Sequence, residues 1–137
     1  MLLPSTDSLR RAATAVAVPS GYRLVVLFGS VARGESTPGD VDLAILGPRG
    51  APFDALDATT RLSQALDLGG VDVVNLAHAN PVLLMRVAHE GVPLYEATPT
   101  EFAEFASLAM RRYADTRKFR EAVREDLRAY SAADGER

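Results

Sequence analysis

Residues 40–46 (Asp-Val-Asp-Leu-Ala-Ile-Leu) place two acids at alternating positions in an otherwise apolar run. Successive side chains of a β-strand point to opposite faces, so Asp40 and Asp42 project together while Val41, Leu43 and Ile45 fill the other side. Burying a carboxylate costs several kcal/mol unless the group is paired or bound to a metal. Magnesium prefers oxygen ligands and is typically held by a few carboxylates and substrate phosphates. The run therefore predicts a strand that carries a divalent-metal site.

Asp72 is a candidate third carboxylate. It lies in residues 70–76, an apolar segment that is too β-branched and too short to favour a helix. If this strand pairs beside residues 40–46, Asp72 can face the same side as Asp40 and Asp42. Three carboxylates on one face suit two metal ions, with Asp72 orienting the catalytic ion or accepting the proton of the nucleophile.

Residues 29–34 (Gly-Ser-Val-Ala-Arg-Gly) supply a second candidate element, directly after a predicted buried strand at 22–28. Gly29 allows a close approach of the backbone, and a short helix predicted from Val31 would offer free amides to a phosphate. Ser30 could donate a hydrogen bond to a phosphate oxygen, and Arg33 could reach the same region. Together with the aspartates, this turn predicts metal-dependent chemistry on a nucleoside triphosphate.

Purely structural interpretations of these residues stay open. Asp40 and Asp42 could form a capped loop end, and Asp72 could be a turn residue after two glycines. Gly29 and Ser30 could form only a tight turn. Arg33 could pair with Glu35 or Asp40 instead of with phosphate. His78 and His89 lack the spacing of metal ligands and are assigned no role.

The pattern Gly-Ser, a spacer and Asp-x-Asp between apolar strands resembles the signature of the DNA polymerase beta nucleotidyltransferase superfamily. Residues 29–34 resemble its minimal nucleotidyltransferase (MNT) branch, and the resemblance extends through Asp72 and residues 84–95 to a final helix. The sequence departs from the family pattern at Gly39, where the family often has serine before the first aspartate. The resemblance implies an α/β (α+β) fold of the polymerase-beta type: a small mixed sheet with helices packed on it and a long C-terminal helix.

The MNT resemblance also implies an antitoxin of a toxin–antitoxin pair. Such a protein would be a Mg²⁺-dependent adenylyltransferase (AMPylase) that transfers AMP from ATP to a tyrosine of a HEPN-domain ribonuclease toxin. Asp40, Asp42 and Asp72 would be catalytic and would hold two Mg²⁺ ions, while Gly29, Ser30 and Arg33 would bind the nucleotide. Two alternatives stay open: an antitoxin that neutralises its partner by binding alone, and a nucleotidyltransferase for a small molecule such as an aminoglycoside. A homodimer could build the acceptor pocket that the second alternative needs.

Composition and charge agree with a small cytoplasmic enzyme. The 137 residues predict a single domain, and the absence of cysteine excludes a disulfide scaffold and thiolate zinc sites. We find neither a signal peptide nor an apolar run of membrane-spanning length, so no membrane partner is expected. Residues 1–104 carry 7 basic and 12 acidic residues. This part of the chain therefore lacks the clustered positive charge of a nucleic-acid-binding surface.

The remaining helices follow from capping and periodicity. Helices are predicted from about Ser5 to Val18, from Phe53 to Leu68 and from Pro81 to the residue before Gly91. A single long helix is predicted over residues 98–130, with apolar residues at heptad spacing. Its first half should pack on the domain. Its second half, beyond about Asp115, could extend past the core and meet a partner, although its basic residues also fit a solvated face with i,i+4 ion pairs.

Overall fold

The computed structural model describes residues 3–35 and 40–135, with side chains described as far as residue 133. Gly39, where the sequence departs from the family pattern, lies outside these ranges. The helices and strands follow in the order α1 Thr6–Ser20, β1 Leu24–Phe28, α2 Gly29–Ala32, β2 Val41–Leu46, α3 Ala55–Leu66, β3 Val71–Asn75, a 3₁₀ turn Leu76–His78, α4 Pro81–Glu90, β4 Val92–Glu96, α5 Glu101–Asp115 and α6 Arg117–Gly135.

Polar side chains cap the helices where the sequence predicts their starts. The Ser5 hydroxyl accepts a hydrogen bond from the Ser8 amide at 3.2 Å, which satisfies a free donor at the start of α1. Asp54 caps α3 in the same way, and Asn80 caps α4 directly before Pro81. Gly21 ends α1 with a left-handed backbone. These local signals explain why the predicted boundaries of the first helices are correct to within a few residues.

The four strands of the described residues form one mixed sheet in the order β3-β2-β1-β4. β1 lies antiparallel to both β2 and β4, whereas β2 and β3 are parallel and are connected through α3. β1 is buried on both faces, as its continuous apolar sequence predicts. The mixed sheet with helices packed on it confirms the predicted fold class.

Two hydrophobic clusters cover the two faces of the sheet. On the first face, α1 and α3 pack against the odd-numbered residues of β1 and β2, including Val25, Leu43 and Ile45. On the second face, α4 and α5 pack against the even-numbered residues, including Leu24, Val26 and Ala44. This alternation places Asp42, which pairs with Phe28 across the β1–β2 ladder, on the second face beside α4.

The C-terminal segment is helical over nearly the predicted range, but it forms two helices instead of one. Thr116 separates α5 from α6, and its hydroxyl donates to the Tyr113 carbonyl at 2.8 Å. The guanidinium of Arg120 donates to the same carbonyl at 2.9 Å. The Thr116 amide also donates to the Tyr113 carbonyl, in an i,i−3 hydrogen bond. These bonds tighten the last turn of α5 and interrupt the regular i,i−4 pattern.

The two C-terminal helices differ in burial as predicted. Phe105 and Ala109 of α5 are buried in the second cluster, whereas the described side chains of α6 are almost all exposed. In the ranges that the structure describes, the only i,i+4 ion pair of α6 joins Arg117 to Glu121 at 2.9 Å. The second half of the segment therefore extends past the core.

No helix of the described chain combines the length and the apolar character that crossing a lipid bilayer requires.

Candidate active site

Three aspartates lie on the second face of the sheet, at the end where β2 begins. Asp42 pairs directly with Asp72 in the parallel β2–β3 ladder, so the two side chains point to the same side. Asp40 lies two residues before Asp42, directly before β2, and is exposed like Asp72. The predicted juxtaposition of Asp72 with the first two aspartates is therefore confirmed as a placement.

Two glycines provide the space that these carboxylates occupy. A Cβ atom on Gly29 would overlap Oδ2 of Asp42 and would lie 3.1 Å from its Cγ. Gly29 also has φ +79°, which a side chain disfavours. A Cβ atom on Gly70 would lie 2.5 Å from Oδ1 of Asp40. The positions of the Asp42 and Asp40 carboxylates therefore require glycine at 29 and 70, respectively. The sequence did not predict this role for Gly70.

Burial and nearby like charges both act on the Asp42 carboxyl. The pKa of Asp42 is raised above its ordinary value of 3.8, first because burial disfavours the ionised form and then because Asp72 and Asp40 repel its charge. Arg86 and Arg33 oppose this rise. The site therefore concentrates negative charge that the surrounding protein only partly balances.

Arg33 and α4 form an ion-pair network beside the aspartates. The guanidinium of Arg33 contacts Glu35 at 2.9 Å and Glu90 at 3.2 Å. Glu90 also accepts a longer hydrogen bond, of 3.5 Å, from Nε of Arg86, one helical turn earlier. The sequence-level alternative that Arg33 pairs with Glu35 is confirmed for this state of the chain. A pairing with Glu90 was not foreseen.

The short helix after β1 begins two residues earlier than predicted. α2 begins at Gly29, directly after β1, rather than at Val31. The amides of Arg33, Gly34 and Glu35 bond back to carbonyls within residues 29–31, at 3.1 to 3.2 Å. Ser30 is half-buried in this turn. Gly29 and Ser30 therefore lie at the end of β1 next to Asp42, as the motif predicts.

Arg86, Glu90 and Gly70 are the residues that sequence reasoning missed. Arg86 and Glu90 have the i,i+4 spacing of a helical ion pair, a signal that is present in the sequence but does not indicate a site by itself. Their relation to the aspartates depends on α4 crossing the second face of the sheet. That tertiary contact has no local sequence signature.

The donor set fits a hard divalent cation. Three carboxylates share one face, and the pKa of Asp42 is raised first by burial and then by the charges of Asp72 and Asp40. Within residues 3–35 and 40–135, no three acid, cysteine or histidine side chains are gathered closely enough to hold a metal ion as placed. Magnesium commonly takes only some of its ligands from protein, and water and phosphate oxygens complete its shell. The arrangement is compatible with that mode of binding.

Asp40 and Asp72 are exposed, whereas Asp42 is half-buried. A pocket of about 340 Å³ on the same face is lined by Leu46, Glu101 and Arg112 at the opposite end of β2, and none of the three aspartates contributes to it. Asp40 and Asp72 are exposed instead. A macromolecular acceptor could reach these carboxylates directly.

Comparisons with known proteins agree with this geometry. Residues 20–100 match the family model described as polymerase beta, nucleotidyltransferase, which covers more than half of the chain and includes all three aspartates. The chain belongs to this nucleotidyltransferase family. A search of curated proteins gave no significant match.

Several solved structures share the fold of this nucleotidyltransferase. One is a chain of a toxin–antitoxin complex with AMP-PNP, at 26% identity and TM-score 0.73, covering 90% of this chain and 98% of that one. Another belongs to the toxin–antitoxin MntA–HepT, at 25% identity and TM-score 0.67, covering 89% and 96%. A third belongs to a complex of a tri-AMPylated Shewanella oneidensis HEPN toxin with an MNT antitoxin, at 25% identity and TM-score 0.69, covering 90% and 98%. The MNT resemblance of the sequence is confirmed.

Proposed function

We infer that this nucleotidyltransferase is an antitoxin that acts as a Mg²⁺-dependent protein adenylyltransferase on a HEPN ribonuclease toxin. The observation that carries this proposal is the placement of Asp40, Asp42 and Asp72 on one face of the sheet, with Gly29 packed against Asp42. The similar complex that contains an AMPylated HEPN toxin supports the choice of reaction and partner.

Asp40, Asp42 and Asp72 would hold the metal. When bound, Mg²⁺ would neutralise the carboxylates, screen the triphosphate and lower the pKa of the attacking hydroxyl. The chain supplies three anionic groups that repel one another in its absence, and this repulsion favours cation binding. We propose two ions because three carboxylates on one face suit two ions better than one.

Ser30 and Arg33 would position the triphosphate beside Asp42. Gly29 and Ser30 follow directly after β1, whose last residue pairs with Asp42, so phosphates held by this turn would lie next to the carboxylates. Arg33 is exposed, and among the described residues its guanidinium forms ion pairs with Glu35 and Glu90 near the surface. Such pairs are weak, so Arg33 can exchange them for phosphate oxygens.

The proposed step transfers AMP to a tyrosine hydroxyl of the toxin. The hydroxyl oxygen forms a bond to the α-phosphorus of ATP, the bond from that phosphorus to the bridging oxygen of the β-phosphate breaks, and pyrophosphate leaves. Asp72, exposed beside Asp42, would accept the hydroxyl proton. The open surface around Asp40 and Asp72 favours a protein acceptor, which brings its own binding surface, over a small molecule that needs a pocket.

Labelled ATP tests the reaction type. The proposed partner is a HEPN protein encoded by the gene beside that of this chain, called here the neighbouring HEPN protein. Incubating this chain with that protein and Mg²⁺ should move label to it from α-³²P-ATP and not from γ-³²P-ATP. Asp42→Asn should abolish the transfer because it removes a metal-binding charge while conserving side-chain shape. Transfer of the γ-label, or full transfer by Asp42→Asn, would contradict the proposal. Label on a small hydroxyl compound and not on any protein would favour the small-molecule alternative.

A further inference from the structure

Helix α6 carries two parallel columns of side chains that the fold leaves uncovered. Phe119, Val123 and Leu127 recur every four residues and form an apolar column, which Tyr130 extends. Phe119 is 73% exposed and Leu127 is 63% exposed. Apolar side chains at this spacing on an exposed helix are typical of a face that packs against another surface.

A basic column lies directly beside the apolar one. Arg120, Arg124 and Arg128 are each shifted by one position from the apolar residues, so the two columns run side by side. Arg120 stacks 3.7 Å above the Tyr113 ring. In the described chain, Arg124 and Arg128 form no ion pair. Glu121 and Glu125 stand at i,i+3 spacing from Arg124 and Arg128, but in the described chain Glu121 pairs with Arg117 instead. The two guanidiniums are therefore available to an acidic partner.

The apolar column continues into a groove between α4 and α6. This groove has a volume of about 520 Å³ and is lined mainly by apolar surface, including Val82, Leu83 and Phe119. Val82 is itself 59% exposed. The groove and the apolar column therefore form one continuous surface, which we call the α4–α6 surface.

Arg86 connects the α4–α6 surface with the aspartates. It lines the groove, and its charge also acts on Asp42. It shares Glu90 with Arg33 of the nucleotide-binding turn. A protein seated in the groove would therefore lie beside the catalytic carboxylates and not at a distant part of the molecule.

We propose that the α4–α6 surface docks the acceptor protein, which contributes an amphipathic helix with acidic residues along one flank. This proposal rests on the proposed function, because it assigns the surface through which that reaction recognises its protein substrate. The apolar ridge of the docked helix covers Phe119, Val123 and Leu127, and its acidic flank pairs with Arg124 and Arg128.

A second copy of this chain fits the surface less well. A symmetric dimer brings the same patch together from both subunits. Antiparallel pairing of α6 with its own copy would place the two basic columns side by side, with Arg124 and Arg128 of each copy facing like charges. The positive column therefore favours a different protein over an antiparallel second copy.

Binding of the neighbouring HEPN protein, measured by calorimetry without nucleotide, tests the docking surface independently of transfer. Leu127→Ala should weaken binding at least about 10-fold, because truncating a central apolar anchor commonly has that effect. The double variant Arg124→Glu, Arg128→Glu should weaken it at least as much and should reduce its salt dependence. Both sites are exposed, so the melting temperature should change little.

Matched controls separate docking from general effects. Leu56 is 76% exposed on α3, which packs on the opposite face of the sheet from α4, and Leu56→Ala should leave binding unchanged. Lys118→Glu reverses a charge on the opposite side of α6 and should have a much smaller effect than the double variant. A tyrosine adenylylation assay on the same variants should show a raised KM for the protein acceptor, with the KM for ATP unchanged.

The outcomes distinguish this proposal from the proposed function. If the HEPN protein binds the wild type and all variants equally, the docking proposal fails and the proposed function stands. If the HEPN protein neither binds nor accepts AMP, both fail. If light scattering shows a wild-type dimer that Leu127→Ala converts to a monomer, with HEPN binding intact, the surface belongs to a second copy and the docking proposal is overturned.

Discussion

Removing the charge of Asp42 should stabilise the protein while it abolishes the proposed reaction. Asp42 is half-buried and lies two residues from Asp40. It stands directly opposite Asp72 in the β2–β3 ladder. Asp42→Asn keeps the shape of the side chain and removes the repulsion. Carboxylates that are arranged to bind a cation, and that lack basic partners in the protein, are expected to lower the stability of the fold.

The magnitude follows from the spacing of the strands. Charges on paired residues of neighbouring strands are about 5 Å apart, and Coulomb's law gives about 1 to 3 kcal/mol of repulsion at effective dielectric constants of about 80 to 20. Arg86 and Arg33 offset part of this, and solvent screens the rest. We expect a net gain of about 1 kcal/mol in the free energy of unfolding, or about 3 to 5 °C in Tm for a chain of this length.

The pH dependence has a defined sign. Because the pKa of Asp42 is raised in the folded chain, the folded state binds the proton more tightly than the unfolded state does. The ionised group therefore costs stability above the folded pKa, and this cost disappears as the pH falls through that pKa to the ordinary value of 3.8. The Tm difference between Asp42→Asn and wild type should be widest at neutral pH and should close in acid.

Thermal unfolding without divalent cations, followed by circular dichroism from pH 4 to pH 8, measures this difference. Asp57→Asn is the matched control, because Asp57 forms an exposed ion pair with Arg61 at 2.9 Å and its removal should not raise Tm. A Tm of Asp42→Asn at or below that of wild type at neutral pH would refute the argument from repulsion.

Three further predictions concern the same site. In urea unfolding, Gly29→Ala should lower the free energy of unfolding more than Gly34→Ala does. Both glycines have positive φ, but only at Gly29 would the added Cβ overlap Asp42. Equal losses would contradict the claim that Gly29 makes room for the carboxylate. Arg33→Ala should raise the KM for ATP about 10-fold with a smaller effect on the KM for the protein acceptor, and an unchanged KM for ATP would remove Arg33 from the nucleotide site. Mg²⁺ with ATP at about ten times the dissociation constant should stabilise wild type by about 1.4 kcal/mol in thermal shift and Asp42→Asn much less, whereas equal shifts would exclude Asp42 as a ligand.

The parts of the site that the sequence predicted are those that local rules determine. Strand periodicity places Asp40 and Asp42 on one face, and the β-branched run around Asp72 identifies the strand that brings the third carboxylate beside them. The glycine-serine turn follows directly from its position after a buried strand. These predictions required only short-range sequence patterns and the assumption that β2 and β3 pair.

The parts that the sequence missed depend on tertiary packing. The contact of Arg33 with Glu90 joins residues 57 positions apart and exists because α4 crosses the second face of the sheet. The break at Thr116 was missed because the heptad spacing continues through it, and only the bonding of the Tyr113 carbonyl interrupts the helix. The space that Gly70 leaves for Asp40 depends on how β2 lies beside β3.

The most direct test of the central claim is the intact mass of the HEPN protein after incubation with this nucleotidyltransferase, ATP and Mg²⁺. The account predicts a mass gain of one or more AMP units, with loss of ribonuclease activity, and no gain when Asp42→Asn replaces wild type. A stable complex that neutralises the ribonuclease with no change in mass would contradict the account and would show that this protein acts by binding alone.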